Sequence, residues 1–211
     1  MKSKNKKINN PIIKPSKGFT LIEVIVATAI MAVVLIFIGG FSLSVIDFKN
    51  FVSPVLEVQG EVNQSIQEIG LYLRTMNYSN LGAYPIVAAG TSTMTFFSDT
   101  DEDGLAEQVR YFLNGNIFKK GVIKPSGNPL TYNPANEKIT EIIHGVVSGS
   151  TSTIFSYYDA NYTGAEPAMA YPVDISKIKI VGVDVAAKQT NQKVPITASI
   201  KIKPRNLNIN Q

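Results

Sequence analysis

The spacing of apolar side chains divides the chain into stretches with different periods, and the first is continuously apolar. Residues 24–46 carry no charge, and their only polar side chains are Thr28, Ser42 and Ser44. About 20 apolar residues span the hydrocarbon core of a bilayer as a helix, so this stretch predicts a membrane-spanning helix. Six lysines precede it and Asp47 follows it. This asymmetry predicts a cytoplasmic N-terminus and an extracytoplasmic C-terminal part.

The second stretch has a helical period with one apolar face. Its apolar residues recur at spacings of three and four: Val55, Val58, Val62, Ile66, Ile69, Leu73 and Met76. A coiled-coil seam would have the same period, but Gly60 and Gly70 interrupt it. We therefore favour a helix packed on a globular domain, continuing from the apolar segment to about residue 78.

The third stretch alternates between apolar and polar residues, as half-buried strands do. "TSTMTFFS" (residues 91–98) and "EQVRYFLN" (107–114) flank the turn "DTDEDG", and "NG" leads into "NIFKKGVI". Because "NG" is a strong hairpin signal, residues 91–123 predict a three-stranded antiparallel meander. Residues 152–159 predict another strand, and 176–187 with 194–204 predict a final hairpin. Residues 140–147 fit either a strand or a short helix.

These periods together predict an α+β fold. A long N-terminal helix, transmembrane in its first half and amphipathic in its second, packs on an antiparallel β-sheet domain. The expected segments are a membrane helix at residues 19–46, its amphipathic continuation at 47–78 and the sheet domain at 79–211.

Composition narrows the classes of function. The chain contains no cysteine, which excludes disulfides, thiolate metal sites and cysteine nucleophiles. Residues 1–18 hold six of the 20 basic side chains and none of the 16 acidic ones, so the remainder has 14 basic and 16 acidic side chains, a net charge of −2. Removing the first segment would therefore remove the basic character. The remainder has no basic stripe of the kind that follows phosphates, and no nucleic-acid partner is predicted.

The first segment has three interpretations. A cleaved secretory signal would have a shorter apolar region that ends in a small-residue site, and a plain signal anchor needs only the apolar helix. The third depends on the order of residues in "KGFTLIEVIVATAIMAVVLIFIGG" (residues 17–40), because this stretch resembles the processing site of type IV prepilins and the related pseudopilins of type II secretion.

That resemblance implies roles for three residues. A basic leader, residues 1–18, would be removed by cleavage after Gly18, and Phe19 would become the N-methylated new N-terminus. The acidic residue of the family motif corresponds to Glu23. A charge in an apolar helix is costly unless it is paired. In the family this carboxylate pairs with the N-terminal amine of a neighbouring subunit, which implies a role in filament assembly and register.

The resemblance also implies partners and location. The expected partners are other pilins or pseudopilins, the prepilin peptidase and methyltransferase, the inner-membrane assembly platform and, before assembly, membrane lipid. The protein would be a single-pass protein of the cytoplasmic (inner) membrane before it enters a pilus or pseudopilus. The sheet region resembles J-type minor pseudopilins and PilW-like minor pilins, through "TFFSDTDEDG", "VRYFL", "FSYYD", "KIKIVGVDV" and "KPRNLN".

Candidate chemistry is sparse. The single histidine, His144, has no cysteine or acid at metal-ligand spacing, and no nucleophile elbow, P-loop or zinc-protease motif occurs. Strand aromatics such as Tyr111 and Tyr157 normally pack a sheet. We therefore expect no enzymatic activity.

One constellation could bind an ion. Asp99, Asp101 and Asp103 alternate before Gly104, as in the first half of an EF-hand loop. The twelfth position is Arg110 rather than the bidentate glutamate of that loop. A hairpin turn whose aspartates cap backbone N–H groups is therefore favoured, with calcium as the alternative and no other cofactor expected.

Two function classes remain from the sequence. The leading one is a structural subunit, minor or priming, of a type IV pilus or a type II secretion pseudopilus, assembled after peptidase cleavage and N-methylation. The alternative is a pilus-borne adhesin or a DNA-uptake (competence) subunit whose outer domain binds a surface or ligand.

Overall fold

The structure, a computed structural model, describes residues 18–147, 153–189 and 194–208. The chain falls into two compact units, Met1–Asn50 and Phe51–Gln211. A single long helix, α1 (Leu21–Thr75), contributes residues to both units. The leader predicted at residues 1–18 lies, apart from Gly18, outside the described residues.

In the first unit the apolar side chains of α1 are exposed rather than buried. Every large apolar residue from Leu21 to Phe48 that the structure describes leaves about half or more of its surface accessible, as with Val34 at 47% and Phe37 at 75%. In the described part of the chain, α1 is the one helix long and apolar enough to cross a membrane. An apolar surface of this extent is unstable in water and needs lipid or protein around it.

In the second unit α1 buries the face that the sequence predicts. Six of the seven stripe residues are at most 8% exposed, and Val55, nearest the membrane segment, is partly exposed. The helix continues through Pro54 and ends at Thr75, three residues before the predicted boundary. Its end is stabilised from outside: the Arg205 N–H donates to the Arg74 carbonyl, and the Asn206 side chain donates to the Met76 carbonyl at 2.9 Å.

The strands form two antiparallel sheets. Among the described residues, the first sheet has five strands and the second has three, and in each sheet every strand pairs with the next one along the chain. The strands of the first sheet are β1 (Ile86–Ala89), β2 (Thr93–Ser98), β3 (Glu107–Asn114), β4 (Ile117–Ile123) and β5 (Lys138–Ile143), and those of the second are β6 (Phe155–Tyr158), β7 (Ile180–Ala187) and β8 (Ile196–Ile202). In the part of the chain that the structure describes, short 3₁₀ turns lie at Pro134–Asn136, Ile175–Lys177 and Asn206–Asn208.

The predicted α+β architecture is confirmed, with one strand missed. The meander predicted at residues 91–123 corresponds to β2, β3 and β4, which pair in that order. The final hairpin corresponds to β7 and β8. The ambiguous residues 140–147 fall partly in strand β5, and the strand predicted at 152–159 is β6, with Ser152 outside the described residues. Strand β1 was not predicted.

The core of the second unit lies between the α1 stripe and the inner faces of both sheets. Its largest fully buried side chains from the strands are aromatic, and they stack across neighbouring strands: the rings of Phe96 and Tyr111 are 6.1 Å apart, and those of Tyr111 and Phe118 are 5.9 Å apart. Phe118 then meets Phe155 of the second sheet at 6.0 Å. This series of contacts joins the two sheets into one core.

Candidate functional site

The three residues that the sequence singles out for processing and assembly lie just before α1 and in its first turn. Gly18 and Phe19 precede the helix, and Phe19 is 88% exposed. Apart from the chain neighbours of Gly18, no described atom lies within 4 Å of the place where a Cβ on Gly18 would be. The peptide bond between these two residues therefore lies outside regular structure.

Glu23 has hydrogen-bond donors on its own chain. Both the N–H and the hydroxyl of Thr20 donate to Glu23 Oε2 at 2.8 Å, and the Glu23 N–H donates back to Thr20 Oγ1 at 3.4 Å. Because α1 begins at Leu21, Thr20 is its N-cap and Glu23 its third residue, which is the arrangement called a capping box.

The sequence reasoning missed this capping box. It treated Glu23 as an isolated charge, although the T-x-x-E spacing of Thr20 and Glu23 is the known signature of the motif. Within the described chain the carboxylate is therefore partly compensated by the two donors of Thr20. Glu23 also lies in the positive first turn of the helix, where the helix dipole favours an acidic side chain.

The "DTDEDG" segment forms the turn between β2 and β3. Asp99 Oδ2 accepts the N–H of Gly104 at 2.9 Å, and Asp103 Oδ1 accepts the N–H of Leu105 at 2.8 Å. These are the backbone-capping contacts expected of a hairpin turn. Asp101 instead bonds to the ammonium group of Lys124, which lowers the pKa of the Asp101 carboxyl and raises that of Lys124.

The acidic residues that the structure brings together differ from the three taken from the sequence. Carboxylate oxygens of Asp99, Asp101 and Glu107 lie within 4.8 Å of one another, whereas Asp103 is outside this group. Glu107, the first residue of β3, is fully buried. The sequence reasoning missed it because it compared the loop with a twelve-residue EF-hand and read only the acids before Gly104 and the twelfth position.

Arg110, at that twelfth position, pairs with Glu137 and not with the acidic group. Its Nε and Nη2 donate to the two oxygens of Glu137 at 2.9 and 2.7 Å, which raises the pKa of Arg110. The pair crosses β4 at Gly121, where a Cβ would collide with the Glu137 carboxylate. Arg110 therefore ties β3 to the segment before β5 and is not placed in the acidic group.

His144 lies on the second unit between two glutamates. Its backbone N–H donates to Glu61 Oε2 at 2.9 Å, its Nδ1 is 3.0 Å from Glu61 Oε1, and its Nε2 is 3.3 Å from Glu141 Oε2. The hydrogen bond with Glu61, followed by the one with Glu141, raises the pKa of His144. The side chain thus links α1 to the end of β5, which is a structural role.

The comparisons with known proteins point to the first segment. The family model described as the prokaryotic N-terminal methylation motif matches residues 13–39, a span that includes Gly18, Phe19, Glu23 and the exposed first part of α1. No curated protein matches the chain. The motif implies processing by a prepilin peptidase and assembly with other pilins.

Proposed function

The methylation motif at residues 13–39 supports membership of the type IV prepilin and pseudopilin family, and from that premise we propose that the protein is a structural subunit of a type IV pilus or a type II secretion pseudopilus. The observation that carries the proposal is the coincidence of this motif with the first part of α1, where the large described apolar side chains from Leu21 to Phe48 are all exposed. Such a helix is suited first to lipid and then to the packed helical core of a filament.

The order of events follows from the first residues. The basic leader keeps the N-terminus in the cytoplasm, and the apolar part of α1 holds the chain in the inner membrane with the sheet unit outside. A prepilin peptidase then cleaves after Gly18 and the new amine of Phe19 is methylated. During assembly the amine of one subunit pairs with the Glu23 carboxylate of its neighbour, so that neither charge remains alone in an apolar environment.

Within this family we assign the protein to the minor or priming subunits. The support is the resemblance of the sheet region to J-type minor pseudopilins and PilW-like minor pilins. The role is structural rather than enzymatic: the pairs that Arg110 makes with Glu137, and His144 with Glu61, link strands to each other and to α1. The net charge of −2 after leader removal disfavours a DNA-binding role for the outer domain.

The cleavage site provides the direct test. In a host with an active prepilin peptidase, the mature chain is expected to begin at Phe19 and to be heavier than residues 19–211 by one CH₂, because the methyl group replaces a hydrogen. Gly18→Leu is expected to leave the leader attached, because by family resemblance the peptidase needs a small residue before the scissile bond. Gly18→Ala is the matched control and is expected to be processed. Intact-mass spectrometry of the membrane fraction distinguishes these species, and a wild-type chain that still begins at Met1 contradicts the proposal.

A further inference from the structure

The base of the β2–β3 hairpin brings together three carboxylates from two strand ends and the turn between them. Asp99 directly follows β2, Asp101 lies in the turn, and Glu107 begins β3. The oxygens that they offer lie within 4.8 Å of one another. Acidic groups at a solvated turn are common, so this proximity alone does not indicate a ligand.

Glu107 supplies the independent observation. Its side chain is 0% exposed, and its Oε2 accepts the N–H and the hydroxyl of Thr100 at 2.7 and 2.8 Å. Its Oε1 is buried and has no hydrogen-bond partner among the described residues, and the same is true of Asp99 Oδ1. A buried carboxylate oxygen without a donor loses its hydration without replacement, which costs free energy. Both oxygens belong to residues of the acidic group, and a cation bound there would compensate their buried negative charge.

From this arrangement we propose that Asp99, Asp101 and Glu107 bind a divalent cation, and that the ion is Ca²⁺. All three ligands are carboxylates, which suit hard cations, and no histidine or cysteine is near to favour a transition metal. Two oxygens bound to one Ca²⁺ at 2.3–2.6 Å are at most about 5 Å apart, and the three carboxylates lie close enough together to satisfy this limit. The exposed side of the turn, where Asp101 lies, admits the waters that complete the shell.

Neighbouring groups hold the buried ligand in place. The Ala106 N–H donates to Asn80 Oδ1 at 2.8 Å, and the Tyr132 hydroxyl donates to the Ala106 carbonyl at 2.7 Å. Both contacts fix the backbone of Ala106, the residue directly before Glu107. Glu107 is also paired with Ser98 in the β2–β3 ladder. The backbone on both sides of the site is therefore fixed before an ion arrives, so little ordering is needed on binding.

Lys124 competes with the ion. Its ammonium group bonds to Asp101 Oδ2 and lies 3.9 Å from Asp103 Oδ2, with 54% of its side chain exposed. A cation bound at Asp101 must share or displace this lysine, which can turn into solvent. Removing Lys124 is therefore expected to increase calcium affinity.

The test is calorimetric titration of CaCl₂ into the full chain in detergent, after treatment with EDTA. The expected dissociation constant is about 10⁻⁴–10⁻³ M, the range of extracellular calcium modules, with weaker binding of MgCl₂. Glu107→Gln and Asp101→Asn are each expected to weaken binding at least tenfold, and Lys124→Gln to strengthen it several-fold. Asp103→Asn, which removes an equal charge from the same turn outside the group, is expected to change it less than twofold.

Two outcomes would contradict the proposed calcium site. One is the absence of calcium binding at millimolar concentration in both the wild-type chain and Lys124→Gln. The other is equal weakening by Asp103→Asn and Asp101→Asn, which would indicate diffuse screening of an acidic turn. Because Asp101 is exposed, its variant is expected to fold even if the buried Glu107→Gln does not, and circular dichroism of each variant checks this. Cleavage after Gly18 is measured separately, so each proposal can fail without the other.

Discussion

At the scale of single residues, Glu23 has two roles that the structure makes separable. One is local, because Thr20 and Glu23 cap the start of α1. The other is proposed between subunits, where the Glu23 carboxylate meets the amine of a neighbouring Phe19. The capping role needs both side chains, whereas the pairing role needs only the carboxylate.

This difference yields a prediction. Thr20→Val removes the capping hydroxyl but keeps the charge, so it is expected to leave co-purification with other pilins near the wild-type level. Glu23→Val removes the charge and is expected to lower co-purification strongly, while membrane insertion stays intact or improves. Thr20→Ser keeps a hydroxyl and is the control. Equal losses in Thr20→Val and Glu23→Val would mean that helix capping, and not pairing with the amine, requires the carboxylate.

His144 yields a prediction about pH. Its pKa is raised in the folded chain, chiefly by the hydrogen bond with Glu61. The stabilisation is therefore complete below the unfolded pKa of about 6.5 and is lost as pH rises through the higher folded value. Because half of the His144 side chain is exposed, the loss is expected to be at most about 1 kcal/mol.

Thermal unfolding of the full chain in detergent, from about pH 5.5 to pH 8.5, measures this effect. The wild-type melting temperature is expected to fall over the upper part of this range, beyond any change seen in His144→Gln, which cannot take up the proton. Parallel profiles for the two proteins would show that the contact with Glu61 contributes no pH-dependent stability.

At the scale of elements, two glycines in the packed part of α1 have different surroundings. Apart from the backbone of its own helix, a Cβ on Gly60 would meet no described atom within 4 Å, whereas a Cβ on Gly70 would lie 3.2 Å from Ile200 Cδ1 of strand β8. The exposed glycine therefore lowers helix stability without a packing role, and the buried one makes room for the second sheet.

Alanine at each position tests this distinction. Gly60→Ala is expected to stabilise the chain by about 0.5–1 kcal/mol, through helix propensity and a less flexible unfolded chain. Gly70→Ala has the same intrinsic gain, but crowding against Ile200 offsets it, so its melting temperature is expected to be lower than that of Gly60→Ala. If both variants gain equally, Ile200 moves aside without cost and the close approach is not needed.

Some elements could be predicted from local sequence patterns and others could not. The α1 stripe and the β2–β3–β4 meander were predictable because helical spacing and turn residues are local signals. Strand β1 was missed because it is four residues long and ends in two alanines. Strand β5 was ambiguous because it is an edge strand whose first four residues are exposed, so its sequence lacks the alternation of a half-buried strand.

At the scale of the whole molecule, exposed apolar side chains are concentrated in one part of the chain. They are nearly continuous from Phe19 to Phe48, whereas beyond residue 50 the described ones are scattered, such as Leu56, Leu81 and Ile139. The stripe and both sheets that form the core belong to Phe51–Gln211.

A chain that starts at Asn50 is therefore expected to be soluble, monomeric and folded without detergent, while the full chain needs it. Light scattering after size-exclusion chromatography measures the mass, and a cooperative thermal transition by circular dichroism shows the fold. Aggregation of the shortened chain, or unfolding without a transition, would mean that the folding of the second unit depends on the part of α1 before residue 50.

The sequence by itself determined the features that depend on near neighbours: the apolar helix and its processing motif, the buried stripe of α1 and the main hairpins. Only the tertiary structure decided which distant residues meet. It divided the strands into two sheets and placed His144 against Glu61, which is 83 residues away in the sequence. It also showed that the acidic group contains Glu107 rather than Asp103. The physical reason is that period and turn chemistry act over a few residues, whereas the burial of Glu107 depends on how β3 and the segments around Asn80 and Tyr132 pack together.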